Sequence, residues 1–214
     1  MAIRLPGAVF IHIPKTGGST VTRVLMGLAL NKEKFFNPHV TWREVQSNPR
    51  LSEWHSLPSF AFVRHPLNWY KSYWCWRMLS GWDANVAIDR QCKADTFQAF
   101  VENAIKEFPG FVSGEYRRFT DGVNYVGRTE CLKESLLYIL LQTGHQVDAK
   151  VVYQTPNENG GAVRPDLNAR CVLPQSLVKT LFEAEREAME TFGYGARLAP
   201  DAGSAQPEKE LGLP

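Results

Sequence analysis

The run Phe10-Ile11-His12-Ile13-Pro14-Lys15-Thr16-Gly17-Gly18-Ser19-Thr20 carries the strongest chemical signal in the chain. A lysine, two glycines and three hydroxyls stand where an apolar stretch passes into a helix-like one. A glycine turn of this kind aims backbone N–H groups at one point, and the helix N-terminus adds partial positive charge. Gly17 and Gly18 let backbone come close to an anion. Lys15 adds a mobile full charge, and Ser19 and Thr20 add hydroxyl donors. Phosphate or sulfate is the natural guest. The order differs from a Walker A loop, in which the lysine follows the second glycine; here Lys15 precedes both. A second candidate follows in Phe60-Ala61-Phe62-Val63-Arg64-His65-Pro66, with Ser72 eight residues after Arg64. A bidentate arginine and a serine about two helical turns on can grip one phosphate from two sides.

Positioning these groups requires strands that end at Lys15 and Arg64. Ala8 to Ile13 and Ser59 to Val63 are short apolar runs of the buried-strand type. Ser19 caps a helix running to about Leu30, with Val21, Val24, Leu25 and Leu28 at helical spacing. Pro66 suits the first turn of a helix reaching about Met78. Thr41 to Gln46 predicts a short helix, Gly81 to Asp95 a loop, and Thr96 to Glu107 a helix. Asn124 to Val126 predicts a third strand, followed by a turn and an apolar helix to about Gln142. Lys150 to Tyr153 predicts a fourth strand, Gln154 to Arg170 a polar segment, and Pro174 to Phe192 one charged amphipathic helix. Strands alternating with helices imply an α/β, P-loop-like three-layer domain, a central parallel sheet of about four or five strands flanked by helices. Ligands of such sheets bind at the carboxyl ends of the strands, where Lys15 and Arg64 fall.

Composition narrows the classes. At 214 residues the length favours one domain over two. Residues 1–198 form the expected domain. Residues 199–214, rich in Ala, Gly, Pro and Glu, read as a disordered tail. Basic side chains number 24 and acidic ones 22, leaving a net charge of +2, so any anion site is local and general nucleic-acid binding is not expected. No run of about 18 apolar residues suggests a membrane span, and no secretion signal is evident. The expected setting is therefore cytoplasmic, with the four cysteines as free thiols. No CxxC pair or acidic cluster points to a metal.

Together, the two phosphate-type segments resemble the sulfotransferase superfamily that uses 3′-phosphoadenosine 5′-phosphosulfate (PAPS). The first resembles its 5′-phosphosulfate loop and the second its 3′-phosphate motif. Tyr125-Val126-Gly127-Arg128-Thr129-Glu130 resembles a third element, a loop over the adenosine end. Pro38-His39-Val40-Thr41-Trp42 resembles a stretch of the carbohydrate sulfotransferases related to heparan sulfate 2-O-sulfotransferase, and Thr191-Phe192-Gly193-Tyr194 resembles the family's C-terminal pattern. The chain departs from that subgroup in being short, and the membrane anchor common in Golgi members is not expected.

The resemblance implies PAPS as cofactor, the bisphosphate PAP as product, and a hydroxyl acceptor, a saccharide or glycan. No metal is expected. Lys15 stabilises charge. Thr16, Gly17, Gly18, Ser19 and Thr20 hold the 5′-phosphate, and Arg64, Ser72 and Arg128 hold the 3′-phosphate. His39 is the base, since a neutral imidazole suits proton removal near pH 7. His55 and Glu44 are fallback bases, and His12 reads as a packed residue. Two other readings compete: a P-loop kinase of a small metabolite, and a non-catalytic nucleotide-binding module on the same fold.

Overall fold

The computed structural model describes residues 1–30, 32–35, 39–157 and 165–195. The strands are β1 (Ala2–Arg4), β2 (Val9–Ile11), β3 (Glu33–Phe35), β4 (Ser59–Val63) and β5 (Tyr125–Arg128). The helices are α1 (Gly18–Gly27), α2 (Trp42–Ser47), α3 (Pro66–Ser80), α4 (Ala87–Cys92), α5 (Phe97–Glu107), α6 (Phe111–Thr120), α7 (Leu132–Gln142), α8 (Ala149–Gln154), α9 (Pro165–Ala169), α10 (Gln175–Ala184) and α11 (Arg186–Thr191). The strands form one sheet in the order β3-β1-β2-β4-β5. Its functional half is parallel: Phe10 pairs with Phe60, and Val63 with Arg128. Those registers bring the ends of β2, β4 and β5 to one edge.

Alternation along the strands builds two cores, because successive side chains point to opposite faces. Phe10, Phe60 and Phe62 pack with Val21 and Val24 of α1 and Leu136 and Leu140 of α7. Ile11, Ala61 and Val63 pack on the other face with Trp69, Tyr70 and Trp74 of α3 and Tyr116 of α6. Both faces are covered, which is why the strands read as unbroken apolar runs. The expected three-layer α/β arrangement is present.

Several local expectations change. The sheet is mixed, because β1 runs antiparallel to both β2 and β3. Each of these two strands is three residues long, too short to show a period. Lys150 to Tyr153 is helical, in α8: the Asp148 side chain accepts from Lys150 N–H and caps it. The expected loop from Gly81 to Asp95 contains α4, fastened by Asp89, which accepts from Tyr73 Oη at 2.6 Å and pairs with Arg77 Nε at 2.6 Å. The single helix expected over Pro174 to Phe192 breaks at Glu185 into α10 and α11. Helix α1 ends at Gly27, where Lys32 Nζ donates to the Leu25 and Leu28 carbonyls at 2.8 and 2.6 Å. Helix α6 has no counterpart in the sequence reading. The expected tail at 199–214 lies outside the described residues.

Candidate anion-binding site

The turn between β2 and α1 is held from three sides. Trp69 of α3 donates its indole N–H to the Pro14 carbonyl at 2.9 Å. Thr16 Oγ1 donates to the Ile13 carbonyl at 2.9 Å. Thr129, just past β5, lies 2.9 Å from both the Thr16 and Val63 carbonyls and shares its hydroxyl proton between them. Lys15 stands at φ +67 and Gly17 at φ +83. A left-handed lysine costs about 1–3 kcal/mol and persists only where its surroundings impose it. The glycines serve packing directly. A Cβ on Gly17 would come within 2.5 Å of Leu132 Cδ1, and one on Gly18 within 2.0 Å of the His12 ring.

Two cations meet at this turn. Lys15 Nζ rests 4.6 Å from the centre of the Trp76 ring. Arg64 Nη1 lies 3.4 Å from the Lys15 carbonyl oxygen. Arg64 is fixed through its backbone: its N–H donates to Tyr116 Oη at 3.0 Å, and that hydroxyl donates to the Arg64 carbonyl at 2.7 Å. Burial, with Arg64 and Arg77 nearby, lowers the Lys15 pKa to about 8. Burial also lowers that of Arg64, partly offset by Glu130. Among the described residues, no carboxylate comes within ion-pair distance of either cation. Concentrated, poorly hydrated positive charge of this kind favours an anionic guest.

The other sequence candidates distribute around these two. Thr16, Gly18 and Thr20 are buried, whereas Ser19 is exposed at the head of α1. Ser72 is half-buried on α3, three residues before Cys75 and four before Trp76, so the three share a helix face. Arg128 is exposed; its Nη1 lies 3.4 Å from the Gly193 carbonyl, with its guanidinium 5.9 Å from the Tyr194 ring centre. Beside it, Glu130 accepts from His65 N–H at 2.8 Å and from Tyr194 Oη at 3.1 Å. The buried His65 ring packs against Phe182 and Tyr194, and burial lowers its pKa.

His12 points to the sheet face opposite α3, the face it shares with Phe10. His12 stacks on Phe10 and abuts Gly18. Its pKa falls to about 4, mainly through burial, and both His39 and Lys15 add to the shift. His39 is exposed and its pKa is lowered, chiefly by desolvation and against the pull of Glu115. A cavity of about 420 Å³, with His12, Ser19, Thr22, Arg23 and Met26 in its wall, opens beside His12. The fallback bases have structural partners. Glu44 accepts from the Thr41 N–H at 2.7 Å in a capping box, and His55 Nε2 is 3.0 Å from the Val45 carbonyl.

Sequence reading did not find the roles of Trp69, Tyr116, Thr129 or Trp76. A buried indole or phenol needs a polar partner, so Trp69 and Tyr116 carried a signal of hydrogen bonding but not of where it would go. Trp76 stays 39% exposed.

The fold and this edge define an open α/β protein with a cationic, glycine-built turn at the carboxyl ends of its parallel strands. Compared by sequence, neither a protein-family model nor a curated protein matches the chain. Among solved structures, the crystal structure of mouse sulfotransferase SULT7A1 complexed with PAP is similar in layout, with a TM-score of 0.49 and 12% identity over 92% of this chain and 86% of that one. A likeness at that level says nothing about chemistry. No described helix is long and apolar enough to cross a membrane.

Proposed function

We propose that this chain is a sulfotransferase that moves a sulfuryl group from PAPS to a hydroxyl of a saccharide-type acceptor. One observation carries the reading. Lys15 and Arg64 converge, without a carboxylate partner among the described residues, at the carboxyl end of parallel strands and beside the N-terminus of α1. The donor set is cationic, N–H and hydroxyl, which fits a nucleotide with two phosphate positions.

When bound, PAPS supplies the sulfuryl group and a bisphosphate leaving group. Lys15 neutralises charge growing on the bridging oxygen, a contribution worth about 10²–10³ in rate for a preorganised donor. Residues Thr16 to Thr20 hold the 5′-phosphate. Arg64 and Ser72 hold the 3′-phosphate, and Arg128 closes over that end. His39 takes the acceptor proton, and His12, kept neutral chiefly by burial, lines the cavity next to Ser19. The cavity beside Ser19 admits the acceptor. The exposed Trp76 face next to Lys15 suits a sugar ring.

Calorimetric titration with PAP, run beside ADP without magnesium, tests the cofactor. Preference for the 3′-phosphorylated nucleotide is expected, and Arg64→Ala should abolish it. No binding, or a preference for magnesium-ADP, would sink the reading. His39→Ala should leave PAP affinity intact and lower turnover about 10²–10⁴-fold. Equal loss of both would remove His39 as the base.

A further inference from the structure

Cys75 and Cys171 lie far apart in sequence, yet their sulfurs stand 3.5 Å apart. Cys75 is half-buried on α3, on the face it shares with Ser72 and Trp76. Cys171 is buried in the extended stretch between α9 and α10. All four cysteines carry free thiols. The other two differ in their surroundings. Cys92 is fully buried, and desolvation pushes its thiol up to about 11. Cys131 has Ser135 Oγ, 3.4 Å away, as its neighbour.

We propose that Cys75 and Cys171 form a redox-active dithiol, which a low-molecular-weight disulfide such as oxidised glutathione converts to an intramolecular disulfide. Geometry provides the pair. A disulfide needs an S–S distance of about 2.05 Å, so the sulfurs close by about 1.5 Å. Chemistry assigns the order of attack. The contact with Cys171 lowers the Cys75 pKa to about 7, and Lys15 and Arg64 add positive charge, so Cys75 is the readier thiolate; the Cys171 S–H donates to the Leu167 carbonyl at 3.5 Å. Cys171, beside that thiolate and buried, keeps its proton.

The thiolate of Cys75 attacks one sulfur of oxidised glutathione, forming a mixed disulfide and releasing one glutathione thiolate. Cys171 then loses its proton to that thiolate or to solvent and attacks the Cys75 sulfur. The second glutathione leaves as thiolate and is protonated. The protein dithiol gives up two electrons, and one glutathione disulfide becomes two thiols. Only Cys75 need meet the reagent, because the second step is internal.

The test uses the whole reduced protein, incubated under native conditions with millimolar oxidised glutathione, then alkylated with iodoacetamide. Intact mass should show that two alkylatable thiols are lost, peptide mapping should join Cys75 to Cys171, and dithiothreitol should restore all four thiols. Cys171→Ser should stop with one glutathione on Cys75. Four alkylated cysteines after the incubation, or a link through Cys92 or Cys131, overturns the proposal. If Cys171→Ser fails to fold, the mapped link in the unmodified sequence decides alone. These readouts are independent of any sulfotransferase activity.

Discussion

Helix α1 starts after Gly17 at φ +83, and helix α6 starts after Gly110 at φ +72. Neither N-cap side chain closes the first turn, and neither first turn contains an acid. At α6 the chain brings its own anion. The fully buried Glu185 carboxylate accepts from Val112 N–H at 3.1 Å, Ser113 N–H at 2.8 Å, Ser113 Oγ at 2.7 Å and Tyr70 Oη at 2.8 Å. At α1 the neighbouring charges are Lys15 and Arg64. One backbone device therefore serves two ends. Filled by a distant carboxylate, it becomes a rivet that breaks the C-terminal helix into α10 and α11. Flanked by Lys15 and Arg64, it has the charge that the proposed anion seat requires.

The largest test of this contrast gives α1 an anion of its own. Ser19→Asp places a carboxylate at an exposed head position. Two like charges 4 Å apart repel by about 4 kcal/mol at an effective dielectric near 20. PAP affinity should fall by about 100-fold or more, while stability to urea holds or rises by about 0.5–1 kcal/mol. Retained affinity would show that the anion does not sit there. The reverse change, Glu185→Gln, turns an amide N–H₂ toward two of the four donors. It should cost about 3 kcal/mol in urea denaturation. A loss under about 1 kcal/mol would mean that the charge of the rivet matters little.

Lys15 supplies a pH test. It is charged below its pKa of about 8 and neutral above it. PAP affinity, followed by calorimetry, should be level from about pH 6 to 7 and weaken as pH rises through about 8, with the bound anion moving the midpoint upward. A flat profile to about pH 9 would remove Lys15 from the seat. The smallest effect is expected from Thr129→Val, which removes the shared proton between Thr16 and Val63. It should cost about 1 kcal/mol in stability and weaken PAP only about threefold, through a looser cradle. Unchanged stability would show that Trp69 and the Thr16 hydroxyl suffice to hold the turn.

Much of the cradle was legible in the chain. Lys15, Gly17 and Gly18 announce it because a strand, a glycine turn and a helix start are all local, and their residue types follow from backbone shape. Arg64 was legible for a similar reason: an apolar run ending in Arg-His-Pro marks the end of a strand and the start of a helix. The partners of these residues were not legible. Nothing near Gly18 in sequence shows that the His12 ring fills the space where a Cβ would stand. Nothing near Thr16 indicates that Thr129, more than a hundred residues on, shares its proton there. β1 and β3 escaped notice because three residues carry no period, and α8 because two adjacent valines suit a strand as well as a helix.

By itself, the sequence determined where a strand, a glycine turn and a helix start meet and which apolar runs lead Lys15 and Arg64 to a sheet edge, since both depend on neighbours within a few positions. Tertiary structure alone decided which helix N-terminus lies beside Lys15 and Arg64 and which is claimed by Glu185. It also decided that Cys75 meets Cys171, and that Lys15 and Arg64 face each other rather than a carboxylate. Those outcomes depend on charges and sulfurs far apart in the chain, and only the packing of α6 on β4, and of α3 on α6, α9 and α10, brings them within reach.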